Sequence, residues 1–87
     1  MPFEVLFSKR AIKDRDLLKS VGLAEKARLL CRVLANDPFQ NPSPYEKLIG
    51  DLSGSYSRRI NVLHRLVYEA DKEKRIVYVL RMWSRYE

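Results

Sequence analysis

An 87-residue chain supports one domain around one core, so any functional site must be a shallow surface rather than a cleft between lobes. At 46% hydrophobic and 32% charged residues, the composition is that of a globular protein and not of a disordered one. Lys and Arg outnumber Asp and Glu by 17 to 11, a net charge of +6 that attracts RNA, DNA or an acidic protein; the excess is spread along the chain, which carries no basic arm.

The opening MPFEVLFSKR holds neither the apolar run of a signal peptide nor one long enough to span a bilayer, which points to the cytosol. Residues 3–7, FEVLF, suit a strand, and Ser8 before KRAIKDRDLLKSVG reads as a helix N-cap. Ile12, Leu17, Leu18 and Val21 are expected to form the apolar stripe of this first helix. Gly22 breaks it, and LAEKARLLCRVLAND resumes with Leu23, Ala27, Leu30 and Leu34 on a second apolar face, predicting a helical hairpin. The lone Cys31 in that helix reads as a small buried hydrophobe; a disulfide framework and a cysteine zinc site are excluded within one chain. Asn36, Asp37 and Pro38 end the helix, and NDPFQNPSPY is a loop inside a single domain, 1–87. Strand patterns follow at YEKLI, YSRRI, HRLVYEA and RIVYVLRMW, the last two separated by the polar turn DKEK. The expected order is β-α-α-β-β-β-β, an α+β fold with two helices on one face of a mainly antiparallel twisted sheet.

Strand alternation groups Arg58 with Tyr56 and Ile60, and Arg59 with Ser57 and Asn61. A connection with an odd number of residues puts Arg59 and Arg65 on one face, opposite Ile60, Leu66 and Tyr68. A two-residue loop at Val62 and Leu63 would pair Arg65 with Ile60 and mix charge into the apolar row, so burial favours the odd loop. In the last strand, Ile76, Tyr78 and Leu80 form one row and Val77, Val79 and Arg81 the other. An arginine-bearing sheet face suits phosphate, because guanidinium offers a planar donor fork at any working pH. It reads equally as a solvated face with ordinary surface arginines.

Aromatic rings beside arginines favour single-stranded RNA over duplex, and RMWSRYE places Trp83 and Tyr86 near Arg81 and Arg85. Cutting RNA without a metal needs a base for the 2′-hydroxyl, positive charge on the phosphorane-like transition state and an acid for the leaving 5′-oxygen. No His/Cys/Asp/Glu array has metal-ligand spacing, and no cofactor is expected. Glu46 is a candidate base and Arg59 with Arg65 candidate stabilisers, although Glu46 taken singly reads as an exposed strand-end carboxylate. His64, the one imidazole, lies on the row of Leu66 and Tyr68 and reads as a structural turn histidine.

The stretch DPFQNPSPYEKLIGDLSGSYSRRINVLHRLVYE resembles the signature of the YoeB/Txe branch of the RelE-like toxins, with Pro-Phe after the second helix, then E-x-L, L-S-G, S-R-R-I and H-R-L-V-Y. The likeness is dense over residues 37–81. It implies a ribosome-dependent mRNA interferase of a type II toxin–antitoxin system, cutting the message in the 30S A site and leaving a 2′,3′-cyclic or 3′-phosphate and a 5′-hydroxyl. It also implies an antitoxin of the YefM/Phd or Axe type as partner, operator DNA bound only through that antitoxin, and no membrane. Carried over by position, Glu46 matches the general base, Arg59 and Arg65 the phosphate-binding and stabilising arginines, and Tyr86 the terminal tyrosine that positions RNA.

Two departures stand out. The family pattern ends in His-Tyr, the histidine being the general acid, where this chain reads Arg85-Tyr86; arginine, with a pKa above about 12, neutralises a leaving oxyanion but does not readily donate a proton. Arg85 is therefore expected to stabilise the leaving group in a slower or differently tuned nuclease. A basic residue commonly follows E-x-L, where this chain has Ile49, and Lys47 on the same strand row is expected to stand in for it. Two other readings stay open: a ParE-like toxin that binds gyrase without cutting RNA, and a weakened toxin serving mainly as co-repressor.

Overall fold

The computed structural model describes residues 2–41, 44–50 and 54–83. Its elements are β1 (Glu4–Phe7), α1 (Lys9–Ser20), α2 (Ala24–Asn36), β2 (Tyr45–Lys47), β3 (Tyr56–Arg59), β4 (Arg65–Asp71) and β5 (Ile76–Arg81), in the order the sequence predicts. The strands form one sheet ordered β1-β5-β4-β3-β2, antiparallel except for the parallel β1–β5 pair. Both helices pack on one face, where Ala11, Leu18, Ala27 and Leu34 meet Ile60, Leu66, Tyr68, Val77 and Val79 in a single buried cluster. Among the described residues, no helix is long and apolar enough to cross a membrane.

Ser8 is the N-cap of α1: its hydroxyl accepts from the Ala11 amide at 3.0 Å and donates to the Leu80 carbonyl at 2.7 Å, so one side chain both starts the helix and ties it to β5. At the other end Gly22 adopts φ +77°, and the Gly22 and Leu23 amides donate back to the Lys19 and Leu18 carbonyls. This paired closure turns the chain sharply into α2 and needs a residue without a Cβ at the left-handed position.

The expected face of α2 is confirmed, with Ala27 and Leu34 buried and Leu23 and Leu30 packed against the core. The expected stripe of α1 is corrected. Only Leu18 of that set is buried; Ile12 and Leu17 are each 43% exposed and Val21 is 52% exposed. The helix instead turns Ala11, Asp14 and Leu18 inward, an equally helical spacing that includes a carboxylate because Asp14 has backbone partners at the end of β5.

The β3–β4 connection is odd, as burial requires: Arg59 pairs directly with Arg65 across the residues 60–64. The Asn61 side chain accepts from the Leu63 and His64 amides, and the Ile60 and Asn61 amides donate to the His64 carbonyl. The β5 rows follow the expected alternation only as far as Val79. Val67 pairs with Arg81 while Tyr68 pairs with Val79, so Leu80 is an extra residue and a bulge moves Arg81 off the row of Val77 and Val79.

Arg58 is fully buried on the helix side of β3. Its guanidinium donates to the carbonyls of Pro38 (3.0 Å) and Gln40 (2.9 Å), lies 3.3 Å from the Tyr68 hydroxyl, and sits over the Tyr45 ring. The Tyr68 hydroxyl itself donates to the Pro38 carbonyl at 2.7 Å; burial pushes that phenol above its usual 10, a shift the neighbouring Arg58 partly offsets. With Phe39 edge-on to Tyr45 and Tyr56, these contacts fasten the segment after α2 to the sheet. Arg58→Ala should therefore lower the unfolding free energy by about 3 kcal/mol or more, since several buried acceptors lose their donor at once. Arg58→Lys should recover only part of this, because an ammonium cannot reproduce the fork. Urea unfolding midpoints check both.

Candidate active site

The face away from the helices is ordered by the same register. Glu46 pairs with Ser57, Ser57 with Val67, and Val67 with Arg81, so one row crosses β2, β3, β4 and β5. Three strand spacings separate its charged ends, about 14 Å. Arg59 and Arg65 form the neighbouring row on the same face.

Within this patch Arg65 reaches diagonally across β3. Its Nη1 donates to Glu46 Oε1 at 2.7 Å and to the Ser57 hydroxyl at 3.3 Å. The Glu46 side chain is 64% exposed and that of Arg65 24%, so the pair opens to solvent on its carboxylate side. Two arginines directly opposite one another repel, and Glu46 supplies the counter-charge that lets Arg59 and Arg65 share a row. Among the described residues neither Arg59 nor Arg81 has an ion-pair partner. The arrangement offers a carboxylate able to take a proton, a guanidinium in contact with it, and two further cations on the same face.

The structure thus brings together Glu46, Arg59, Arg65 and Arg81. It does not bring in Lys47: Glu46 and Lys47 are adjacent in a strand, and Lys47 pairs with Tyr56 on the helix side. Trp83 lies elsewhere too, stacked on the His64 ring at 4.1 Å between centroids, with its amide donating to Asp14. His64 is 5% exposed, in keeping with a structural turn histidine. Arg85 and Tyr86 lie outside the described residues.

Ser57 was not singled out by sequence reasoning. It is 1% exposed at the centre of the row, and its signal was its place two residues before Arg59, on the same strand face. Among the described residues no group of three or more His, Cys, Asp or Glu side chains could hold a metal ion.

Helices gathered on one side and a charged row left bare on the other give the architecture of the RelE-like toxins. A YoeB/ParE toxin from Agrobacterium tumefaciens superposes with a TM-score of 0.86 at 26% identity, covering 97% of this chain and 100% of that one. A chain of the YoeB-YefM complex from Staphylococcus aureus superposes at 0.79 with 28% identity, covering 99% of this chain and 100% of that one. A Toxin YoeB of Synechocystis is 45% identical over 65 residues, 74% of this chain and 69% of that protein. The sequence model for the YoeB-like toxin of bacterial type II toxin-antitoxin systems matches residues 7–86, and the chain belongs to that family.

Cys31 has no place in this site. Burial raises its thiol to about 11, an effect the nearby Arg15 charge offsets only partly. At pH 8 its thiolate fraction should be about 10²-fold below that of a thiol at the ordinary value of 9.0, so iodoacetamide should alkylate it correspondingly slowly. Rapid labelling of the folded chain at that pH would contradict the burial. The same raised value means that Cys31 favours unfolding as pH climbs through and above 9.0, where only the unfolded thiol ionises.

Proposed function

We propose that this toxin is a ribosome-dependent endoribonuclease that cuts mRNA in the A site by metal-independent acid–base chemistry. The observation that carries the reading is the 2.7 Å contact between Glu46 and Arg65 on an otherwise open cationic face. Glu46 removes the proton from a ribose 2′-hydroxyl, the 2′-oxygen forms a bond to phosphorus, and the bond from phosphorus to the 5′-oxygen breaks. The products are a 2′,3′-cyclic phosphate and, once the leaving oxygen has taken up a proton, a 5′-hydroxyl.

Arg65 is the main stabiliser of charge on the phosphoryl oxygens, beside the base because the two reactions occur on adjacent atoms. Arg59 and Arg81 hold flanking phosphates, Tyr86 positions the RNA, and Arg85 neutralises the departing oxygen while water delivers the proton. The shallow surface gives the message few points of attachment, so the ribosome supplies the orientation. An antitoxin partner is inferred from the solved complex of the S. aureus relative with YefM. The +6 charge favours an acidic covering segment.

Primer extension on mRNA held in ribosomes with an empty A site tests the reading. The parent should produce A-site cuts, and Glu46→Ala or Arg65→Ala should each slow cleavage by about 10²-fold or more. Undiminished cutting by Glu46→Ala would remove its role as base; no cutting by a toxic parent would shift the target to gyrase or another protein. Arg85→Ala should cost about 10²-fold in single-turnover cleavage, the loss expected for one oxyanion-stabilising group. A parental rate would refute that role.

A further inference from the structure

The face that carries Glu46 and Arg65 extends beyond the residues the proposed chemistry uses. Along β4 the outward side chains run Arg65, Val67 and Glu69, and the register sets Glu69 against Tyr78 of β5 and Tyr78 against Leu6 of β1. A further row, Leu6, Tyr78 and Glu69, therefore lies beside the row of Glu46, Ser57, Val67 and Arg81, on the side away from Arg59 and Arg65. Arg65 and Glu69 are about 13 Å apart along β4.

Tyr78 is 39% exposed and Glu69 is exposed, and neither belongs to the buried cluster. Among the described residues the Tyr78 hydroxyl and the Glu69 carboxylate have no hydrogen-bond or ion-pair partner. The two side chains line both of two shallow hollows and so form the ridge between them. One hollow, of about 560 Å³, continues over Leu6, Ser8 and Leu80. The other, of about 390 Å³, reaches Gly54 and the β4–β5 turn at Lys72 and Glu73.

An open aromatic ring beside a carboxylate is the wrong chemistry for phosphate and the right one for a nucleobase. The carboxylate repels the RNA backbone, while every base has a π face for the ring and the carboxylate oxygens accept from base N–H groups. Arg59, Arg65 and Arg81, at the other end of the face, suit the backbone. Two carboxylate oxygens match two neighbouring donors, and guanine presents its N1–H beside its N2 amine. Uracil flanks its one N–H with two carbonyl oxygens, which a carboxylate repels.

We propose that Tyr78 and Glu69 form a base-reading subsite for a nucleotide flanking the scissile phosphate, Tyr78 stacking on the base and Glu69 selecting guanine over uracil. This rests on the nuclease reading above and adds to it a part of the face that reads sequence.

The test measures binding and cutting separately. Binding uses the whole chain and fluorescein-labelled hexanucleotides of 2′-O-methyl RNA, all uracil or with guanine at each position in turn; the blocked 2′-oxygen prevents cleavage. Guanine at one position should tighten binding by about 10-fold, as a bidentate contact to a base does. Glu69→Gln, which replaces one acceptor by a donor, should bring that ratio close to one. Tyr78→Ala should weaken binding by about 5-fold or more, whereas Tyr78→Phe keeps the stack and should bind as the parent does. Urea midpoints should stay at the parental value in all three variants, because both side chains are exposed. A parent that binds every sequence alike, an undiminished guanine ratio in Glu69→Gln, or undiminished binding by Tyr78→Ala would overturn the subsite and leave the ridge as a surface for a protein partner.

Cutting uses mRNAs held in ribosomes, with the same exchanges of uracil for guanine around the empty A site. Guanine at one position should speed single-turnover cleavage by the parent about 10-fold, and Glu69→Gln should lose that preference. Cleavage whose base preference ignores Glu69 and Tyr78 would overturn the subsite and leave the nuclease reading intact. A parent that cuts no message, while its binding discriminates through Glu69, would overturn the nuclease reading and support the base-reading site.

Discussion

Adjacent residues of a β-strand face opposite ways, and Arg58 and Arg59 show what this alternation does to a basic pair. Arg58 turns toward the helices, where carbonyl oxygens, a phenol and an aromatic ring surround its guanidinium. Arg59 turns outward onto the charged face, opposite Arg65. A one-residue slip would exchange them, exposing the donor that fastens the Pro38–Gln40 segment and burying an arginine with no acceptors prepared for it. The register is therefore held by polar satisfaction on one face as much as by apolar burial, and the position of every charged group on the other face follows from it.

On that outer face the Glu46–Arg65 pair gains little as a stabilising interaction. The carboxylate is mostly solvated, and exposed ion pairs are worth only about 0–1 kcal/mol. What the pair does is geometric. Ser57, buried beneath it, gives Arg65 a second acceptor, so the guanidinium is directed across β3 rather than along its own strand. Two acceptors define a direction that one would leave loose. The bulge at Leu80 has a comparable effect on Arg81, placing it at the far end of the row that begins with Glu46.

Much of this was legible in the sequence because local rules govern it. The Ser8 cap, the Gly22 break, the α2 face and the odd β3–β4 connection each follow from residue chemistry within a few positions. Legibility ends where a partner lies far along the chain. Ile12 and Leu17 formed a reasonable stripe, but the inward place goes to Asp14 because amides 68 and 69 residues later require an acceptor. Arg58 was assigned to the inner row by alternation alone, yet nothing local announced that Pro38 and Gln40 would leave carbonyls for it. Lys47 was placed by analogy with a position whose residue here is Ile49, and strand alternation then carried it away from Glu46. The candidate site was legible as residue types at a suggestive spacing, while the convergence of Glu46, Arg59, Arg65 and Arg81 on one face depended on register, a bulge and a buried serine.

The proposed chemistry also accounts for how little of this small molecule is devoted to holding a substrate. The single core of this 87-residue chain fills the space between helices and sheet, leaving the outer face open and without walls. On such a surface electrostatic stabilisation is weakened by water, and a flexible message bound by two or three phosphates keeps most of its orientational freedom. Rigid arginines on a sheet lower that cost for the protein but not for the RNA. An external template that immobilises the message and displaces water would supply what the face lacks, which is why the proposed function assigns that part to the ribosome. By the same reasoning, a segment that covers this face need not fill a pocket to inhibit it: occupying Arg65 and its neighbours with carboxylates would remove the charge on which the proposed cleavage rests.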